Sequence, residues 1–213
     1  MIIYNGKNSL KDFDIYVAAK EIPAPMRKEA IETVPLMSGE WDFSYHDGID
    51  EYETLIIKYD FDVIADSKQE LNRLKTELIK WLHSRGDQKL YDSDISLNEY
   101  YEVYRAQTAW IEEDLQGLLS VEFKCYPLRK TGETKVTFTL SDTTRTYNIV
   151  NKSERPIMPV FEVIGTAAVI MGGKTFALTT GTYKGFISIA SGTTAVAATG
   201  SGTLTITYWR EVL

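Results

Sequence analysis

Residues Ser67–Gly86 read SKQELNRLKTELIKWLHSRG, the one long helical pattern in the chain. Leu71, Leu74, Leu78, Ile79, Trp81 and Leu82 fall within an arc of about 160° at 100° per residue, which is a single apolar stripe. Lys75 lies inside that arc and is expected to snorkel at its flank. Ser67 and Glu70 have the spacing of a capping box. Gly86 follows the last periodic residue and is expected to end the helix in a left-handed conformation. Burying such a stripe contributes about 2 kcal/mol per large side chain. The stripe needs a partner surface, and the segments on both sides read as strands.

Upstream, Leu55, Ile57, Tyr59, Phe61 and Val63 alternate with charged or polar residues, as in a sheet with one wet face. Phe13, Ile15 and Val17 also alternate and predict a strand. Asn5-Gly6 is a turn signal. Pro23 and Pro25 mark an extended or edge segment. Ile31–Pro35 reads as a short strand, Ser38-Gly39 as a turn, Trp41, Phe43 and Tyr45 as an alternating run, and His46-Asp47-Gly48 as a turn. Downstream, Lys89–Tyr91 and Tyr100–Thr108 read as strands. The acidic stretch from Trp110 to Gly117 reads as an exposed connection, and Leu119, Val121, Phe123 and Cys125 as the buried phase of a strand ended by Pro127.

From Thr131 the texture changes. Gly and Thr become frequent, and short strands are expected at Val136–Leu140, Thr146–Val150, Pro159–Ile164, Ala167–Ile170, Thr175–Leu178, Gly185–Ala190 and Thr203–Trp209. The turns expected between them include Gly172-Gly173, Gly181, Gly192 and Gly200-Ser201-Gly202. That spacing predicts a β-sandwich or barrel. Charge divides in the same place: residues 1–135 carry a net −9 and residues 136–213 a net +2. Two domains are therefore expected, 1–131 and 132–213. An acidic first domain is a poor match to nucleic acid, and no apolar run reaches the length of a membrane span. The N-terminus has no basic start followed by an apolar core, so no signal peptide is read there. The single cysteine, Cys125, excludes an internal disulfide framework and suits a reducing cytoplasm.

Candidate chemistry is sparse. His46 and His83 lack ligand spacing. Asp92-Ser93-Asp94 has a DxD form but reads better as an Asp-rich turn. Asp47, Asp50, Glu51 and Glu53 do not have calcium-loop spacing. Gly172-Gly173-Lys174-Thr175 lacks the first glycine of a phosphate loop, since Ala168 stands there. Cys125 has no histidine near it in sequence and reads as a core residue. No catalytic residue, metal or cofactor is expected, and the chain reads as structural rather than enzymatic. A glycosidase built on paired carboxylates finds no pair singled out. The densest aromatic patch is Tyr100, Tyr101, Tyr104 and Trp110. It reads either as cross-strand packing or as an oligomer interface, where aromatics are enriched.

Several stretches, in order, resemble the distal tail protein (Dit) family of long-tailed phages. They are NGK with FDIYV (residues 5–7 and 13–17), ETVPLMSGEWDFS (32–44), ETLIIKYDFDV (53–63), KWLHSRG (80–86), KLYDSDISLNEYYEVYRAQ (89–107), GLLSVEFKCYPLRK (117–130) and NKSERPIMPVFEVIG (151–165). Leu36 and Met37 stand where that family commonly carries Gly and Arg. The second domain is short for the family, which argues against long receptor- or carbohydrate-binding insertions.

The resemblance implies a mainly β protein. Its N-terminal domain would be a β-barrel-like split barrel with one α-helix and a projecting hairpin, the belt, and a galectin-like β-sandwich would follow. It implies a homo-hexameric ring in the virion, at the tail tip or baseplate, made in the bacterial host cytoplasm. That ring joins the tail tube protein to a tail-associated lysin or tip protein, and can anchor a receptor-binding protein. The Tyr100–Tyr104 strand is expected in or beside the belt. The alternative is a carbohydrate-binding β-sandwich module for host-surface attachment, with Tyr183, Tyr208 or Trp209 as sugar platforms.

Overall fold

In the computed structural model, residues 1–33, 35–36, 38–44, 51–185 and 187–213 are described. The expected turn at His46-Asp47-Gly48, and Tyr45, Asp47 and Asp50, lie outside them. The chain divides into two compact units, Met1–Arg129 with Leu213, and Lys130–Val212.

The first unit is built on antiparallel strands: β1 (Ile2–Tyr4), β2 (Lys7–Asn8), β3 (Tyr16–Glu21), β6 (Leu55–Ile64), β7 (Lys89–Asp92), β8 (Ser96–Glu113) and β9 (Gln116–Cys125). Their order across the sheet is β2-β1-β7-β8-β9-β6-β3, and they do not close into a barrel. A separate short hairpin pairs β4 (Ile31–Glu32) with β5 (Trp41–Asp42).

Strands β6 and β9 run in register from Leu55↔Cys125 to Ile64↔Gln116. Their inward residues, including Ile57, Tyr59, Phe61, Val121 and Phe123, are excluded from water. Helix α2 (Lys68–His83) supplies Leu71, Leu78, Trp81 and Leu82 to the same core. The Trp81 indole N–H donates to the Tyr4 carbonyl at 2.7 Å, so the largest side chain of the stripe enters the core with its polar atom satisfied. Lys75 keeps its stem on the flank and sets its ammonium 5.4 Å from the Trp110 ring centre.

Four local expectations need correction. The chain has a second helix, α1 (Ser9–Phe13), where a strand was expected to begin. Asn8 caps it by accepting from the Leu10 and Lys11 amides (2.9 and 3.1 Å), while Asp12 accepts from the Asn8 amide (2.6 Å). Asp14 then takes the left-handed conformation (φ 53°) and turns the chain into β3. Next, α2 ends at His83 and not at Gly86: the Ser84 hydroxyl donates to the Trp81 carbonyl at 2.7 Å, and Gly86 has no positive φ. At the helix start, Ser67 accepts from the Glu70 amide (3.2 Å), while Glu70 faces Arg73 rather than closing the box. Finally, the Trp110–Gly117 stretch is paired strand, not loop. It reverses at Asp114 (φ 51°), and Glu113 pairs with Gln116.

The second unit is one five-stranded sheet with a bend. It contains β11 (Thr134–Leu140), β12 (Arg145–Asn151), β13 (Val160–Met171), β14 (Lys174–Lys184) and β15 (Gly192–Tyr208). The seventeen-residue β15 pairs β12 through its first half, β11 through its second, and β13 along much of its length. Short strands β10 (Arg129–Thr131) and β16 (Glu211–Val212) pair with each other. The expected break at Gly200-Ser201-Gly202 and the one between Ile164 and Ala167 lie inside strands, and Gly185–Ala190 contributes only an isolated bridge, Ile157↔Ile189.

The reason is steric. Gly165, Gly200 and Gly202 occupy the inward-facing phase of β13 and β15, and all have φ between 100° and 141°. A Cβ at Gly165 would lie 2.1 Å from the Ser201 carbonyl oxygen, and one at Gly202 would lie 1.9 Å from that of Ile164. Only glycine fits there, and it bends the ladder without ending it. Residues on both sides of the bend, including Phe161, Val163, Val169, Val196, Leu204 and Ile206, then share one core.

Gly202→Ala is therefore expected to destabilise the second unit by about 1–3 kcal/mol. A thermal melt checks this, and an unchanged Tm contradicts it.

Candidate functional site

The aromatic residues singled out by sequence do not form one surface. All lie on β8, a central strand between β7 and β9. Tyr101 is buried in the core of its own unit. Tyr100 is buried against Tyr91, ring centres 5.5 Å apart, with the Lys89 ammonium 5.2 Å from its ring. Trp110 lies across Gly117, where a Cβ would come within 2.2 Å of the indole, and its N–H donates to Glu112 at 3.3 Å. Tyr104 differs. The β8–β9 register shifts between Val103 and Arg105, and Tyr104 is the extra residue of that bulge, 50% exposed.

The exposed hairpin is formed elsewhere, by the described residues between 22 and 54. Its limbs are held by Arg27↔Tyr52, by the Lys28 amide on the Glu51 carbonyl (2.8 Å), by the Glu53 amide on the Met26 carbonyl (2.8 Å), and by β4–β5. None of its described residues is buried. It nevertheless presents Met26, Ile31, Leu36, Trp41 and Phe43 to solvent, and the Trp41 and Phe43 rings sit 5.9 Å apart. Leu36 is fully exposed and has φ 69°. The backbone thus takes the glycine conformation at a position where the resembled family commonly has glycine. Met37 lies outside the described residues. Sequence reasoning read its tip, a strand from Ile31 turning at Ser38-Gly39 into the Trp41 run, and the β4–β5 pairing agrees, but it missed the pairing of the outer limbs. The available signal was Pro23 and Pro25 leading into alternating apolar residues that no neighbouring pattern could cover.

The candidate chemical groups have structural partners. Lys20 points inward from the edge strand β3 and binds Asp92 at 3.0 Å and Asp94 at 2.7 Å. The Tyr59 hydroxyl donates to Asp92 at 2.8 Å, and burial, then the Asp92 charge, push its pKa far up. The DxD carboxylates are thus claimed by a lysine, and an inward charge at a sheet edge disfavours edge-to-edge pairing. His83 bonds Thr108 at 3.1 Å, and Gly172-Gly173 forms the β13–β14 turn. Cys125 is buried, and burial pushes its thiol up to about 12. Among the described residues, no three His, Cys, Asp or Glu side chains group as a metal site, and no helix is long and apolar enough to cross a membrane.

The class defined by this geometry is a two-unit antiparallel β protein, with a helix-backed sheet bearing an exposed apolar hairpin and a glycine-bent sheet after it. No protein-family model and no curated protein sequence matches the chain. Among solved structures, the chain is similar to the Dit (gp 19.1) protein of phage SPP1, described as a paradigm of the hub adsorption apparatus in phages infecting Gram-positive bacteria. The TM-score is 0.63 at 15% identity, over 100% of this chain and 98% of that one. The fold is therefore the Dit fold across both units. A looser likeness is to the phage P2 baseplate in its activated conformation with calcium, with a TM-score of 0.46 at 8% identity, covering 93% and 91% of the two chains.

Three predictions follow from these groups. Lys20→Met leaves the Asp92 carboxylate without its cation. It is expected to cost about 2 kcal/mol, below the usual value for a buried pair because Lys20 is partly solvated; chemical denaturation measures it. The Lys20–Asp94 pair adds a pH dependence. Hydrogen bonding to Lys20 depresses the Asp94 pKa, so its contribution is present above pH 3.8 and is lost as pH falls through the lower folded value. For Lys20, burial lowers the pKa, but bonds to Asp94 and Asp92 outweigh it and the net shift is upward. Its contribution is complete below pH 10.5 and is lost as pH rises through the folded value. Separately, Cys125 is expected to resist alkylation in the native protein at neutral pH and to label only on unfolding. Rapid native labelling contradicts that.

Proposed function

We propose that the chain is a structural virion protein, the distal tail hub of a long-tailed phage, and not an enzyme. In this reading it forms a homo-hexameric ring at the tail tip. The ring joins the tail tube protein on one side to a tail-associated lysin or tip protein on the other, with a receptor-binding protein as a further partner. The chain is made in the host cytoplasm and ends in the virion. The first unit builds the ring, and the second, a galectin-like sandwich in this reading, is carried on it.

One observation carries the reading: the exposed hairpin of residues 22–54, on a chain whose fold matches a Dit protein end to end. Two neighbouring aromatics, each about half exposed, are costly in water and are residue types that anchor interfaces. A hairpin on one subunit that docks on a different surface of the next makes a heterologous contact, and such contacts form a ring when the rotation between subunits closes. The net −9 of residues 1–135 suits a conduit that DNA passes without sticking.

Light scattering on a size-exclusion column is expected to give a mass near six protomers. Trp41→Ala with Phe43→Ala is expected to weaken association by about tenfold or more, with an unchanged melting temperature for the separated chain. Tyr101→Ala is expected to lower that melting temperature instead, because its ring is in the core. A wild-type chain that stays monomeric at every concentration and with its tail tube protein contradicts the ring.

A further inference from the structure

A cleft of about 400 Å³ opens in the second unit between the ends of β11, β12 and β15. Its volume lies in the range of small-ligand sites. Tyr208 and Trp209 line it, both partly exposed, together with the exposed cations Lys152 and Arg210. Among the described residues, no acidic one lines it. Beneath Trp209 lies Lys130, only 6% exposed, its ammonium 4.4 Å from the indole centre. The cleft thus combines an aromatic platform with positive charge that no lining carboxylate offsets.

The walls are rigid. Asn151, 2% exposed, donates to the carbonyls of Arg155, Ile189 and Ala190 (2.9, 3.1 and 3.2 Å) and accepts from the Ser153 amide (2.9 Å). The Thr131 amide donates to the Arg210 carbonyl at 2.9 Å, and the Thr131 hydroxyl accepts from the Arg210 amide at 3.3 Å. These bonds fix the backbone that carries Lys152, Trp209 and Arg210.

Two other clefts of similar size lack this chemistry. One, over β3, β6 and β9, contains Lys58 held between Glu21 (3.7 Å) and Glu122 (3.6 Å), and its carboxylates outnumber its lysines, so it offers no excess of positive charge. The other lies at the glycine bend and has no charged residue.

We propose that the Trp209 cleft binds an anionic sugar. The apolar face of the sugar ring lies on Tyr208 and Trp209, its phosphate or carboxylate meets Lys152 and Arg210, and the Thr131 and Thr134 hydroxyls face its polar edge. Aromatic side chains supply a flat apolar face with a polar rim, which matches a pyranose. Paired cations supply charge-assisted hydrogen bonds to an anion. The site lies wholly within residues 130–212 and does not depend on the ring. Single-stranded nucleic acid also pairs aromatics with cations, but it needs a basic track, and residues 136–213 carry only +2.

Calorimetric titration of the full chain tests this with five probes: glucose 6-phosphate, an oligogalacturonate, uncharged maltohexaose, inorganic phosphate and a dT oligomer. One of the two anionic sugars is expected to bind about tenfold or more tightly than maltohexaose, phosphate or the dT oligomer. Which of the two binds assigns the anion as phosphate or carboxylate. Trp209→Ala is expected to weaken that binding by about tenfold, while Trp209→Phe retains most of it. The surface pair Lys152→Ala with Arg210→Ala is expected to weaken it and to flatten its salt dependence. The proposal is overturned if neither anionic sugar binds, if phosphate alone binds as well, if the dT oligomer binds more tightly, or if binding survives the cation pair.

Discussion

The first unit depends on one burial event, the entry of the apolar stripe of α2 into the core that the inward residues of β6 and β9 share. A sixteen-residue helix is marginal alone in water, and a sheet with one wet face needs a cover. Each is the other's solution. Trp81 shows the coupling at one atom: its indole fills the core only because its N–H reaches the Tyr4 carbonyl on β1. The helix therefore fixes the N-terminal strand as well as the sheet it covers. What it leaves uncovered is the hairpin of residues 22–54, which carries apolar residues without any core of its own.

The second unit solves the same burial problem without a helix. Gly165, Gly200 and Gly202 let β13 and β15 turn sharply while their hydrogen-bonded ladder continues, so one sheet encloses its own core. Turn residues in sequence usually end strands. Here they curve them. This is why expected breaks at these positions lie inside strands of twelve and seventeen residues.

Much of this was legible in the residues. Alternation at Leu55–Val63 and Leu119–Cys125 specified which face is buried, and the stripe of α2 specified its partner side. Helix α1 was not legible from apolar spacing, because Phe13, Ile15 and Val17 alternate as a strand does. Its signal was the cap, Asn8 with Asp12, a local hydrogen-bond pattern that periodicity ignores. The end of α2 was misplaced for a similar reason, since Ser84 satisfies the last turn before Gly86 is reached. On the aromatic strand, composition does not report side: Tyr100 and Tyr101 are buried, while Tyr104 sits at a bulge and is half exposed. The hairpin's apolar residues were visible one by one, but their shared exposure is a property of the whole fold.

The central claim is that the exposed hairpin joins one copy of this chain to the next. The most direct measurement places a photo-crosslinking amino acid at Phe43 of the full chain and resolves the products by mass. The account predicts a ladder of inter-chain products that ends at six chains. Products confined to a single chain, at concentrations where the protein is assembled, would contradict it.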